Sequence, residues 1–445
     1  MAPLPILVTE PSSHSVLVLG AGLAGLTTAY HLHRQGYRIT LLDHADWLDG
    51  FRTDASQLAP IVLGCHHETR RILCALGGEW PSEADRTIPL GFRLPNGRIF
   101  PYQPARLPGA LQWMMSLFSF HGLSWQDRWR LFSHVEQIWE QAQTLPADLE
   151  NRTADEWLTA TGQSHEARER IWDPLVQWLT GNALARLSAA TFVHLLSTVF
   201  LRDASDARLT LLAGSIDHRF IIPMKQTLHR AHVRIVSLAH RPTLRFGQTG
   251  VSEVRLHDDT RLRADRYVIA LSYQNLLQLL PERLLTRYAY FAQITELKSL
   301  SEIVIQLTGP TMKQRPRLLL QSGRPFHQIT STSLGSGEIE YRLSAVGNEL
   351  IELNKDQVVD AALTEICELF SETARKEVTV RSVFREHHAA LSLMPGVVRL
   401  RPIQQSPIQN LLVAGAWTDT GWPTNLESAL VSARRCAELI TDHSA

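Results

Sequence analysis

The chain has 445 residues, and 44 Lys+Arg against 44 Asp+Glu give a formal charge of zero. That balance removes the cationic excess with which nucleic-acid binders meet phosphates, and a composition 44% hydrophobic and 20% charged excludes a disordered chain. Four scattered cysteines make neither a disulfide framework nor a paired zinc site, and no apolar run reaches the ~18 residues that span a bilayer. Tryptophan, with 11 copies, is the one excess.

In chain order, Met1 to His14 lacks the positive start and apolar core of a signal peptide, so a cytoplasmic setting is expected. Ser15-Val-Leu-Val-Leu-Gly20 reads as a buried parallel strand and runs straight into Gly20-Ala-Gly22-Leu-Ala-Gly25. A helix follows to about Gln35, stopped by Gly36, and Arg38 to Asp43 reads as a second strand. A GxGxxG between a strand and a helix is a dinucleotide fingerprint. Gly20 allows the tight turn, Gly22 lets backbone approach a pyrophosphate, and Gly25 lets the helix pack close to the strand. The helix start, Leu23 and Ala24 included, offers N–H groups to phosphate, and Asp43 is placed for a ribose.

His66 to Leu76 reads as a helix. Helical periodicity marks Trp125 to Ala142, Thr153 to Thr161 and His165 to Thr180. Strands are expected at 233–238, 243–246, 251–256 and 265–271, with alternating β-branched residues through 298–347. Lys355 to Phe370 reads as helix, Val378 to Phe384 as a strand that Glu386-His387-His388 ends, and Asn410 to Gly415 as a short strand before a helix over Asn425 to Ile440. The fold class is therefore α/β. A Rossmann-like domain, discontinuous in sequence (14–85, 219–275 and 405–445), would carry an inserted helical substrate part (86–218) and a mixed-sheet substrate part (276–404).

The glycine loop together with Leu411-Leu-Val-Ala-Gly-Ala-Trp-Thr-Asp-Thr-Gly-Trp-Pro-Thr-Asn-Leu-Glu-Ser-Ala429 resembles the FAD-dependent amine oxidase and phytoene desaturase superfamily. Val62-Leu-Gly-Cys-His66, Trp172-Asp-Pro-Leu175, the Leu- and Phe-rich helix Thr191 to Leu201 and the Ala389 to Gly396 stretch bring it closest to the hydroxysqualene dehydroxylase branch. The resemblance implies FAD as cofactor, with Gly20, Gly22 and Gly25 at the pyrophosphate and Asp43 at the ribose. It places Ala239 near the adenine, and Gly415, Ala416 and the Asn425-Leu426-Glu427 turn at the flavin. The chain departs from the family at Leu48-Asp-Gly-Phe-Arg52, where Arg52 stands one position late, at Ser56-Gln57-Leu58, and at Ala416, where an acidic residue is usual. Each lost polar contact is worth ~0.5–1.5 kcal/mol.

The implied reaction is reductive removal of the allylic hydroxyl of hydroxysqualene, giving squalene. The alternatives are a carotenoid-type desaturase and a degenerate flavoprotein scaffold. Loss of hydroxide needs an acid, for which His66 and His67 are the candidates. No metal is expected, since Cys65, His66, His67 and Glu68 fit no zinc spacing. The aromatic stretch 107–132 (Trp113, Phe118, Phe120, Trp125, Trp129, Phe132) offers an apolar entrance for a polyisoprenoid at the inner membrane face. Association with other squalene-pathway enzymes is the remaining partner implied.

Overall fold

The computed structural model describes residues 15–44, 47, 60–80, 90–102, 115–116, 120–130, 133, 147–203, 205–212, 214–310, 317–334, 338–347, 349–370 and 377–442. Arg52, Asp49, Leu58, Trp113, Phe118 and Phe132 lie outside them.

Strand β1 (Ser15–Leu19) leads into helix α1 (Leu23–Arg34) and back to strand β2 (Arg38–His44), as the apolar runs and Gly36 predict. β1 is the centre of a five-stranded parallel sheet. β2 and then the strand Arg234–Leu238 lie on one side, and Arg266–Ile269 and then Leu411–Val413 on the other. Three separated stretches of chain thus build one sheet. Its strands are almost wholly apolar (Val16, Leu17, Val18 and Leu19 are buried) because parallel sheets are covered on both faces. The C-terminal helix Leu426–Asp442 packs beside α1 through Leu426, Ala429, Leu430, Cys436 and Ile440. A small antiparallel sheet of Thr243–Phe246, Val251–Arg255 and Arg261–Leu262 completes this half.

The second half is a seven-stranded mixed sheet in the order Thr379–Leu391, Ser299–Pro310, Glu338–Val346, Gln328–Ser333, Leu318–Gln321, Leu90–Arg93, Ile99–Tyr102. One face carries Ile303, Ile305, Leu307, Tyr341 and Leu343 against Val358, Ala362, Ile366 and Leu369 of the helix Lys355–Phe370. Helices between Ala154 and Leu201 form a layer around Trp157, Trp172 and Phe192, whose rings meet edge to face.

Two expectations need correction. The stretch 86–218 does not start helical: Leu90–Arg93 and Ile99–Tyr102 form a hairpin that extends the second sheet. The Pro95-Asn96-Gly97 turn, with Gly97 at φ 81°, makes it. Nor does the strand after Val378 stop at the histidines. It runs to Leu391, because its pairing with Ser299–Pro310 continues through an irregularity at His387 to Ala389.

Candidate functional site

The two halves meet at a solvent-open cleft of about 940 Å³, part of which is open solvent. Its floor is the glycine loop with Leu23 and Ala24, its back is Gly415, Ala416 and Trp417, and a side wall comes from Ala270 to Gln274, Ser299 and His388 to Leu391.

The glycines divide the work sterically. Gly20 adopts φ 104°, and a side chain there would enter the Ala270 carbonyl. A Cβ on Gly25 would overlap the Gly20 carbonyl oxygen, so helix and strand touch through bare backbone. Gly22 differs: a Cβ there would meet nothing and would project into open space. Gly22 is the N-cap of α1 and supplies no side-chain cap, so the first-turn N–H groups keep their donors for a ligand. Asp43, buried at the end of β2, accepts a hydrogen bond from Ala21 N–H at 3.3 Å and fixes the loop from below. Ala239 is exposed just beyond the edge strand Arg234–Leu238 and does not line the cleft.

The segment from Gly415 to Asn425 has no regular structure, and its shape is imposed by side chains that periodicity does not reveal. Arg401, 8% exposed, donates to four of its carbonyls: Ala416 (3.1 Å), Trp417 (3.2 Å), Thr418 (2.5 Å) and Trp422 (2.7 Å). Burial lowers its pKa to about 10, which still leaves it charged. Gln404 donates to Thr418 Oγ1, Trp417 Nε1 donates to the Leu271 carbonyl at 2.9 Å, and Gly415 N–H is held by Ser432 Oγ.

Asn425 Oδ1 then accepts from Ser428 N–H at 2.9 Å and caps the last helix. Leu426 packs inward, and Glu427 points away from the cleft. The Glu427 carboxylate accepts from Glu68 N–H (2.9 Å), Thr69 N–H (2.8 Å) and Thr69 Oγ1 (2.7 Å). It thereby caps helix α2 (His67–Ala75), and burial raises its pKa against the pull of those bonds.

The expected proton donors, His66 and His67, do not line this cleft. His66 is the N-cap residue of α2, 6% exposed; its Nδ1 accepts from Leu63 N–H at 3.3 Å, and its ring stands edge-on to Trp422 at 5.2 Å. Burial lowers its pKa to about 3, so at neutral pH the ring is uncharged and a poor general acid. His67 points into a separate charged cavity, 3.8 Å from Asp206. The cleft lining does contain a histidine that the sequence places only at a strand end, His388, whose Nδ1 lies 2.7 Å from Ser299 Oγ. Among the described residues no cluster of three or more His, Cys, Asp or Glu is arranged to hold a metal ion.

A glycine-floored helix N-terminus facing an irregular segment fixed by one arginine is a site for an extended nucleotide cofactor, and residues 23–441 match the flavin-containing amine oxidoreductases. The chain belongs to that family. Among curated relatives, the zeta-carotene desaturase of Synechocystis sp. is 21% identical over 97% of this chain and 98% of its own length. The 15-cis-phytoene desaturase of Glycine max is 21% identical over 97% of this chain and 80% of its own. Among solved structures, a triple mutant of putrescine oxidase superposes with a TM-score of 0.72 at 14% identity, covering 97% and 99% of the two chains. An oxidoreductase from Methanosarcina mazei gives 0.70 at 14% identity, covering 95% and 100%. These likenesses confirm the Rossmann-like fold and FAD as cofactor. These two curated relatives are desaturases, which is the alternative drawn from the sequence.

The cleft fits FAD. The space beside Gly22 and the uncapped start of α1 suit the pyrophosphate. Trp47, whose ring lines the cleft, has an indole N–H that is buried without a partner among the described residues. The protein is an FAD-dependent oxidoreductase, and bound FAD supplies a two-electron hydride acceptor or donor.

Proposed function

We propose that the protein exchanges a hydride between FAD and an allylic carbon of a long polyisoprenoid, and that the first form of this reaction is carotenoid-type desaturation. The observation that carries the reading is the whole-length likeness to zeta-carotene and phytoene desaturases, at 96–97% of this chain. The cleft is consistent with it, since Leu271, Ala389, Ala390, Leu391 and Trp417 give it apolar walls and no carboxylate, Lys or Arg is among its described lining residues.

A second reading is reductive dehydroxylation of hydroxysqualene to squalene, with partners among squalene-pathway enzymes. It is favoured by the Val62-Leu-Gly-Cys-His66 turn and the Trp172-Asp-Pro-Leu175 helix. The two reactions run the hydride in opposite directions. Oxidised holoprotein mixed anaerobically with phytoene or zeta-carotene should lose its flavin absorbance and form a longer conjugated polyene. Reduced holoprotein should instead regain that absorbance with hydroxysqualene if the second reading holds. No flavin change with either lipid sinks both.

We also propose that the substrate is drawn from a membrane surface near residues 107–132. Trp125 and Trp129, one helical turn apart, are 60% and 58% exposed, Met115 is 43% exposed, and the Arg128 guanidinium sits 5.9 Å over the Trp125 ring. Exposed tryptophans beside arginine suit an anionic interface. No helix among the described residues is long and apolar enough to cross a membrane.

A further inference from the structure

Whichever way the hydride moves, one proton must move with it. Desaturation breaks two C–H bonds and forms one π bond, releasing a hydride and a proton. Dehydroxylation adds a hydride to carbon and a proton to the leaving hydroxyl, which departs as water. The cleft must therefore connect its interior to solvent protons, and with His66 and His67 elsewhere the connection has to come from other groups.

Among the described lining residues only two side chains carry an ionisable group, Tyr273 and His388, and Ser299 lines the cleft with them. Tyr273 opens the helix Tyr273–Leu279 behind its N-cap Ser272, and its ring stands edge-on to Trp417 with centroids 6.1 Å apart. Burial raises its pKa, against a lowering by the neighbouring Ser299 side chain, so it stays protonated at neutral pH. Ser299 Oγ is in turn 2.7 Å from His388 Nδ1, and His388 is exposed.

The backbone is bent to make this contact. Ser299–Pro310 and Thr379–Leu391 pair as Leu300 with Ala390 and then Glu302 with Glu386, so one residue, Ser301, faces three, His387 to Ala389. Such a bulge leaves residues out of the alternating pleat and re-aims their side chains. It is fixed by Ser301 Oγ donating to the His387 carbonyl at 3.2 Å and by His388 N–H donating to Glu386 Oε1 at 3.1 Å.

We infer that Tyr273, Ser299 and His388 form the proton path between the cleft and solvent for the hydride exchange proposed above, on which this inference rests. In the oxidative direction the substrate C–H proton passes to Tyr273 Oη as the tyrosine proton passes to Ser299 Oγ. The serine proton passes to His388 Nδ1, and the resulting imidazolium releases its Nε2 proton to water. Dehydroxylation runs the same chain inward, and Tyr273 protonates the departing hydroxyl. FAD is the hydride acceptor or donor, so electrons and protons balance in both directions.

The contact is tested without lipid by nitrogen NMR of the holoprotein labelled in histidine. Ser299→Ala should move the His388 Nδ1 resonance toward that of free imidazole. The path is tested by single-turnover kinetics at saturating substrate. His388→Ala should slow the reaction about a hundredfold with little change in KM, and added imidazole should restore part of the rate. Ser299→Ala and Tyr273→Phe should slow it similarly, and the Ser299→Ala/His388→Ala double variant should be no slower than the worse single one. Full rate in His388→Ala, a loss that imidazole does not rescue, or an unmoved His388 signal in Ser299→Ala overturns the path. If the wild type turns over neither class of lipid, the proposed substrate falls, and the path is still decided by the NMR measurement and by reoxidation of the chemically reduced protein with a soluble quinone. A solvent isotope effect on that reoxidation, lost in His388→Ala, supports the path; the same effect in both proteins overturns it.

Discussion

The glycine loop and the segment Gly415 to Asn425 face each other across one cleft, yet they get their shapes in opposite ways. The loop is built from residues within a few positions of one another: each glycine is needed because a Cβ would strike the adjacent strand or fill the ligand's space. The closing segment has almost no local structure of its own. It is held by Arg401, whose guanidinium gathers four carbonyls, and by Gln404, Ser432 and the Leu271 carbonyl. A local device either fits or does not. A device built from distant side chains can weaken by degrees and take cofactor affinity with it.

Substitutions should separate the two modes, beginning with the largest effect. Gly25→Ala forces the new methyl into the Gly20 carbonyl and should prevent recovery of folded protein. Gly22→Val should fold with near wild-type thermal stability as apoprotein but bind FAD at least about a hundredfold more weakly, by flavin fluorescence titration. Equal damage from both would mean that the space beside Gly22 is not the pyrophosphate site.

On the other wall, Arg401→Ala should cost about 3–5 kcal/mol in denaturant unfolding, because four buried carbonyls lose a charged donor. FAD affinity should fall with it. Arg401→Lys should rescue little, since an ammonium cannot reach four acceptors in one plane. Glu427→Gln should cost about 2–3 kcal/mol by loosening α2, with the flavin spectrum unchanged, because its partners Glu68 and Thr69 lie off the cleft.

The smallest effect comes from acid. Because the folded pKa of His66 is about 3 against 6.5 when unfolded, the unfolded chain takes up its proton first. The stabilisation from the neutral buried ring is complete above about pH 6.5 and declines as pH falls toward 3. Between pH 7.5 and 5 it accounts for a loss of about 2 kcal/mol. His66→Phe should flatten the unfolding free energy by that amount over that range. An unchanged slope would show that the ring is solvated and free to act as an acid.

Much of the cofactor half could be read from the chain because its demands are local. A β-branched run, three spaced glycines and Gly36 specify β1, α1 and β2, and the later strands that complete the sheet stand out as apolar runs. Arg401 could not be read, since a lone arginine in an irregular stretch has no period and its partners are carbonyls 15 to 21 residues away. His388 was missed for a related reason. Strict alternation along Thr379–Leu391 assigns it to a face, and only the bulge opposite Ser301 decides where it goes. The hairpin at 90–102 did carry a signal, Asn96-Gly97, hidden by the helical periodicity that follows. His66 and His67 were expected near the flavin by adjacency to a family turn, but α2 begins there and directs them away from the cleft.

The direction of hydride flow in the holoprotein decides between a desaturase and its alternatives. Oxidised protein mixed anaerobically with phytoene or zeta-carotene is expected to bleach its flavin at a rate matching the appearance of a desaturated polyene. A flavin that stays oxidised with these lipids, and that stays reduced with hydroxysqualene after chemical reduction, would contradict a role in polyisoprenoid redox chemistry.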